Sequence, residues 1–376
     1  MKHFPEVTHL DISYGNLTNI VTNFPDSPFL QVINISFTAL STINVNLVKY
    51  VRNLKILDLR FNKLKYMEGP INLPNHFEQL YFSGNNWNCS RSLRWLLNLE
   101  KESNLIDRNN MICSDPKYQG RNLAIVAYYK RVSKKECQSH LELRNCSCSV
   151  HYIMKSEDGK SLTPIYAINC SSLNFYNLPS YLPKNTTILY ATNNKISDIR
   201  PLLDNACYRD VVDVYLDNNN IRSIDVLEAG YWLRHFRVLS LKKNLLHKLP
   251  VHAIDNALEN NLNAVKLQLS LNPWACDCKF VMRFREILMK YNTIIRDSWN
   301  VTCNLTNEEN QSVETTILSL QHIDVCKLPT NNSIFALDIL NCVLTSLILF
   351  VLFKLGYDYY YYKNYGRLPW IITKMP

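Results

Sequence analysis

Residues 264–278 read AVKLQLSLNPWACDC. Leu267, Leu269 and Asn272 fall in the spacing L-x-L-x-x-N, and Cys276 and Cys278 follow two and four residues after Trp274. The two leucines alternate with Lys266, Gln268 and Ser270, the period of a half-buried strand. A strand that ends in a turn asparagine and runs straight into a cysteine cluster has reached the end of something. What it ends becomes clear upstream.

The longer template L-x-x-L-x-L-x-x-N-x-L recurs. In a first run it falls on Leu10/Ile12/Leu17, Leu30/Ile33/Ile35/Leu40, Leu54/Leu57/Leu59/Asn62/Leu64 and Phe77/Leu80/Phe82/Asn85. In a second it falls on Leu189/Ala191/Asn194/Ile196, Val211/Val214/Leu216/Asn219/Ile221, Phe236/Leu239/Leu241/Asn244/Leu246 and Ala264/Leu267/Leu269/Asn272. The step is 23 to 24 residues in the first run and 25 to 28 in the second. That is the leucine-rich length class. One strand and its return segment cannot bury these apolar positions alone, whereas stacked copies lay the strands into a parallel sheet over a continuous core. The fold class expected is therefore an α/β leucine-rich-repeat solenoid in two short parallel-sheet horseshoe blocks. The recurrent Asn would satisfy backbone groups at each turn. Gly15 and Thr38 hold its slot in the first two repeats, so those turns should be less well braced.

Alternate strand side chains point away from the core, onto the concave face. In the first block these are Asp11, Ser13, Asn34, Ser36, Asp58, Arg60 and Ser83. In the second, Tyr190, Thr192, Tyr215, Asp217, Ser240, Lys242 and Gln268 are the candidate ligand face, with Lys243 and Ser270 beside them. A solvated polar face is the plain alternative.

Asn272–Cys278 resembles the opening of the C-terminal cysteine cap of extracellular leucine-rich repeats. Asn85–Arg91, NNWNCSR, matches it with Asn86 for Pro and Arg91 for the second Cys. Cys137, Cys146, Cys148 and Cys170 resemble the N-terminal cap of a new block. The order repeats, C-terminal cap, N-terminal cap, repeats, C-terminal cap, membrane span resembles the ectodomain of Toll receptors over about residues 7–353. It departs from them after the span, where the tail is too short for a TIR domain. The tail GYDYYYYKNYGRLPWIITKMP resembles the terminus of the insect halfway, or singed wings, family. That likeness implies a developmental role linked to moulting.

The resemblance implies the pairs Cys276–Cys303 and Cys278–Cys326. In the first cap Cys89 can pair with Cys113. Cys137–Cys148 with Cys146–Cys170 is the expected junction, with Cys137–Cys146 as its rival. Cys207 and Cys342 are left unpaired. Disulfides imply an oxidising compartment. A zinc reading of Cys146-Ser147-Cys148 lacks the usual C-x2-C spacing, and no metal is expected.

Sequons lie at Asn16, Asn34, Asn88, Asn145, Asn169, Asn185, Asn300, Asn304, Asn310 and Asn331, all before the apolar stretch Ile334–Phe353. Their one-sided distribution agrees with a lumenal ectodomain. A glycan on Asn34 would project from the concave face. The stretch is long enough for a bilayer. Lys354, Lys363, Arg367 and Lys374 against Asp358 give the flank a net +3, which fits the cytoplasmic side. Tyr357, Tyr359, Tyr360, Tyr361, Tyr362, Tyr365 and Trp370 read as an interfacial aromatic belt, with a phosphorylatable tail as the rival. The organisation expected is repeats at 1–84, cysteine cap at 85–137, N-terminal cap at 138–172, repeats at 173–271 and cap at 272–327. A stalk at 328–333, a transmembrane helix at 334–353 and a tail at 354–376 complete it.

The chain opens MKHFPEVTHLDIS, already inside a repeat and without a signal peptide, so it reads as truncated at its N-terminus. H-E-x-x-H, G-x-S-x-G and phosphate-cradling motifs are missing, and His247 and His252 read as surface residues. The net charge of +9 shows no basic patch interleaved with aromatics, so neither catalysis nor nucleic-acid binding is expected, nor a cofactor. The reading is a type I single-pass plasma-membrane protein that binds a protein ligand or co-receptor, with room for a homo-oligomer. The alternatives are an adhesion or matrix-linking protein and a decoy in the Toll pathway.

Overall fold

The computed structural model describes residues 6–97, 105–156, 159, 161–228, 230–306, 311–326 and 336–366. The chain divides into two compact units, Met1–Leu320 and Gln321–Pro376.

In the first unit the template positions become strands β1 (His9–Asp11), β2 (Asn19–Ile20), β3 (Val32–Asn34), β4 (Thr42–Ile43), β5 (Ile56–Asp58) and β6 (Gln79–Tyr81). β1, β3, β5 and β6 pair in parallel in that order, which sets Leu10, Ile33, Leu57 and Leu80 opposite one another. β2 and β4 form a separate parallel pair. Ile33, Leu57 and Leu80 are fully buried, but Leu10 on the outer strand is only half-buried. The first cap follows with helix α1 (Leu123–Ser139). Asn122 starts it by accepting from the backbone N–H of Ala124 and Ile125 at 2.9 and 3.2 Å.

The second ladder opens with an antiparallel pair, β7 (Ser147–Lys155) and β8 (Leu162–Asn169). From β8 it continues in parallel through β9 (Thr186–Tyr190), β10 (Asp213–Tyr215), β11 (Val238–Ser240) and β12 (Lys266–Gln268). The longest step lies between β11 and β12, where the return segment forms helix α2 (Val251–Asn260). It buries Ile254, Ala257 and Leu258, the i, i+3, i+4 stripe of an amphipathic helix. The second cap holds α3 (Cys278–Lys290) and the antiparallel pair β13 (Thr302–Thr306) and β14 (Ser312–Thr316).

The turn asparagines form a buried spine. Asn219 Nδ2 donates to the carbonyls of Ala191 and Leu216 at 2.9 and 3.0 Å, and its Oδ1 accepts from Ile196 N at 2.9 Å. Asn62, Asn85, Asn194, Asn244 and Asn272 make the same double connection to the repeat before them. Each buried backbone group left unpaired would cost about 1–3 kcal/mol. Thr38 lacks the amide, and its hydroxyl hydrogen-bonds Asn62 of the next repeat instead.

A second regularity sits one residue earlier. Tyr14, Phe37, Phe61, Gly84, Asn193, Asn218, Lys243 and Leu271 all have positive φ, between 53° and 72°. The chain turns off each strand through a left-handed residue, at roughly 1–2 kcal/mol for a side chain other than Gly. Stacked repeats stand about 4.8 Å apart, so equal positions carry equal side chains into contact. Tyr14, Phe37 and Phe61 form a partly exposed column with ring centroids 4.8 and 4.4 Å apart. It ends on Gly84, where a Cβ would come within 2.4 Å of the Phe61 ring.

Cys89–Cys113 and Cys276–Cys303 each fasten a C-terminal cap, with Cα atoms 5.6 Å apart in both. Cys137–Cys148 joins the end of α1 to β7, and Cys146–Cys170 closes the edge of the second ladder. The rival pair Cys137–Cys146 is not formed. Cys278 and Cys326 are also disulfide-bonded cysteines. Cys207 and Cys342 are free thiols.

In the second unit, Ala336–Tyr365 is one helix, α4. At 1.5 Å per residue it is about 45 Å long, enough to cross a bilayer core of about 30 Å. It is the candidate membrane helix among the described residues. The expected boundary at residue 353 is not a break. An ion pair from Lys354 to Asp358 and the rings of Tyr357, Tyr361 and Tyr365, all at i, i+4 spacing, carry the helix into the tail. The stalk 328–333, Ile334, Phe335 and residues 367–376 lie outside the described residues.

Candidate binding face

Strand register assembles the outward face of the second ladder into rows. One row runs Asn169, Tyr190, Tyr215, Ser240, Gln268 across β8 to β12. Tyr190 and Tyr215 stack with centroids 4.6 Å apart. Burial, then the neighbouring Tyr190, raises the Tyr215 phenol above its usual range, so it is a neutral hydrogen-bond donor. Beside this row lie Thr192, Asp217, Lys242 and Ser270. Thr192 is bonded to Ser171 at 3.0 Å, and Asp217 Oδ1 accepts from Lys242 N at 2.9 Å. On the other side Arg237 clamps Asp213 through Nε–Oδ1 at 2.7 Å and a second, shorter contact.

Ser240 corrects the expected face. It is fully buried, because Asp217 and Gln268 close over its hydroxyl at 2.5 and 3.1 Å. It braces the face rather than offering itself to a partner. Ser270 is buried likewise, and so are Ser36, Asp58 and Ser83 on the first ladder. Small or shielded side chains in a row sink below their larger neighbours. Tyr190, Thr192, Tyr215, Asp217, Lys242 and Gln268 remain half-exposed.

The sequons at Asn16, Asn145, Asn169, Asn300 and Asn304 are exposed, and those at Asn34, Asn88 and Asn185 are half-buried. Asn310 and Asn331 lie outside the described residues. Asn34 is tied on the first ladder face, donating to Asp11 and accepting from Ser36 N at 3.1 and 3.0 Å. Asn169 stands at the end of the tyrosine row. His247 bonds the Pro273 carbonyl and His252 meets Arg283, so the two histidines serve different neighbours. Cys89 and Cys113 lie near Asp115, but both sulfurs are spent in a disulfide.

The aromatic column, and the caps' buried aspartates Asp107 and Asp297, were missed by sequence reasoning. The one available signal for the column was the aromatic residue repeated one place before the turn slot in the first three repeats.

Comparison with known proteins places these features. Residues 337–374 match the Halfway C-terminal domain, which spans most of α4 and the tail. The chain is 48% identical over 379 aligned positions to protein singed wings 2 of Drosophila melanogaster, covering 100% of this chain and 75% of that one. It is 26% identical to protein halfway of the same organism, covering 99% of this chain and 60% of that one. In the solved Toll–Spatzle complex of Drosophila, the matched chain is 18% identical with a TM-score of 0.39, over 86% of this chain and 52% of that one. The chain is a leucine-rich-repeat protein that belongs to the family of singed wings 2 and halfway.

Proposed function

We propose that this chain is a non-catalytic, single-pass cell-surface protein of type I whose second ladder binds a protein ligand or partner receptor. The two ladders act as short curved solenoid blocks held between disulfide-bonded caps. The observation that carries the reading is the row Tyr190, Tyr215, Gln268 with Asp217 and Lys242 beside it. Stacked tyrosines on a rigid ladder offer a large contact area at low entropic cost, the composition of protein-binding surfaces. N-glycans on the exposed sequons and the positive flank after the span fit an external N-terminus. A developmental role is the family-level expectation.

Cells expressing the full chain provide the test. They should stay dispersed and retain one secreted protein, with retention lost in Tyr190→Ala/Tyr215→Ala at equal surface level. Aggregation of the expressing cells, with no secreted protein held, would replace this reading with adhesion.

A further inference from the structure

A cluster of positive charge lies in the first cap. Residues 90–97 and α1 face each other across an open cleft of about 540 Å³. Arg91, Arg94, Lys130, Arg131, Lys134 and Lys135 line it, and among the described residues no Asp or Glu does. Four of these cations stand in the run KRVSKK at residues 130–135. Arg91 and Arg94 join them from a segment some forty residues away, and the rings of Tyr66 and Tyr118 lie against Arg91 and Lys130.

The six cations are not equivalent. Lys130 Nζ is committed to the carbonyls of Cys89, Ser90 and Arg91, at 2.5, 3.2 and 3.0 Å. It ties the loop to α1 at the place where Arg91 stands for a cap cysteine. The Arg91 guanidinium lies over the Tyr66 ring at 4.1 Å. Arg94, Arg131, Lys134 and Lys135 are exposed and form no ion pair among the described residues. Lys130 with Lys134, and Arg131 with Lys135, are like charges at i, i+4, which repel across each helical turn. A polyanion laid along the cleft would relieve that repulsion and release its own counterions.

The disulfides of the same cap indicate an oxidising compartment, where polyanions are sulfated polysaccharides rather than nucleic acids. Clusters of Lys and Arg within a few residues are a recognised heparin-type signature. We propose that the cleft between residues 90–97 and α1 binds sulfated glycosaminoglycan chains through Arg94, Arg131, Lys134 and Lys135.

The test uses the full chain in detergent, titrated at physiological salt with a heparin-derived oligosaccharide and with the same oligosaccharide desulfated. The expected result is binding of the sulfated form alone. Arg131→Glu/Lys134→Glu/Lys135→Glu should weaken it by about tenfold or more, since such binding is dominated by counterion release. Arg52→Glu/Lys63→Glu/Lys65→Glu, with the same change in net charge, should weaken it by less than about threefold. Thermal melting of each variant checks that folding survives. No binding by the unaltered chain, equal binding of the desulfated form, or equal loss in both variants would overturn the proposal. So would binding to phosphatidylserine vesicles without binding to the oligosaccharide, which would assign the cleft to a membrane surface.

Discussion

Asp107 and Asp297 close the two ladders by the same device. Asp107 accepts from the backbone N–H of Phe82 and Ser83, at 2.9 and 2.6 Å from Oδ2. Asp297 Oδ2 accepts from Leu269 and Ser270 at 3.0 and 2.9 Å. In both cases the N–H groups just past the last strand have no further strand to receive them, and a buried carboxylate from the cap does so. Trp87 and Trp274 repeat the correspondence, each donating its indole N–H to the carbonyl of the preceding strand end.

Removing the carboxylate should expose that edge. Asp297→Ala leaves two buried donors unpaired and should destabilise the protein by about 2–3 kcal/mol, and Asp107→Ala by a similar amount. Asp297→Asn keeps one acceptor and should cost less. Equilibrium urea unfolding followed by tryptophan fluorescence reads the difference. A shift of about 0.5 kcal/mol or less, the size of an ordinary surface substitution, would mean that the caps close the ladders by packing alone.

The turn at Gly84 should be sensitive for two separable reasons. Its φ of 72° disfavours any side chain, and a Cβ would meet the Phe61 ring at 2.4 Å. Gly84→Ala should therefore cost more than the roughly 1–2 kcal/mol of the left-handed conformation. In Phe61→Ala/Gly84→Ala the clash is gone and only the conformational part persists. A double-mutant cycle should thus give less than additive loss, with a coupling of about 0.5–3 kcal/mol. Additive losses would place the ring away from Gly84.

The strands and the asparagine spine were legible because each follows a period that stacking imposes. Leu57 faces Leu80 because the chain repeats itself every turn of the ladder, and any reader of the template finds both. Asp107 and Asp297 were missed because they lie outside the repeat template; their one mark is a shared spacing of six residues before Cys113 and Cys303. The left-handed residues were hidden for another reason: Phe61, Asn218, Lys243 and Leu271 share a backbone conformation and no chemistry. Ser240 was assigned to the correct side of its strand, but alternation gives direction and not depth. The candidate face was readable as a set of positions, and its shielding by Asp217 and Gln268 was not.

The junction between the blocks rests on Cys137–Cys148, which ties α1 to β7. Non-reducing peptide mapping should recover Cys137 linked to Cys148 and Cys146 linked to Cys170. Recovery of Cys137 linked to Cys146 would reverse the assignment. Cys137→Ser should cost about 2–4 kcal/mol, leave Cys148 as a titratable thiol, and make the α1–β7 connection the first site of limited proteolysis.

Lys130 should give that cap a measurable pH response. Burial first, and the nearby charge of Lys117 second, push its ammonium down to about 8. In the unfolded chain a lysine titrates near 10.4. The folded value is the lower one, so between about pH 8 and 10.4 the unfolded chain holds the extra proton. Stability contributed by this group therefore rises with pH across that window and is flat below it. Competitive acylation followed residue by residue should show Lys130 reacting with a midpoint near 8. Lys130→Met should flatten the slope of stability in the same window. A sulfated oligosaccharide in the cleft adds negative charge beside the ammonium and should return the midpoint upward. If the chain binds the oligosaccharide while the Lys130 midpoint stays fixed, the polyanion sits elsewhere on the surface.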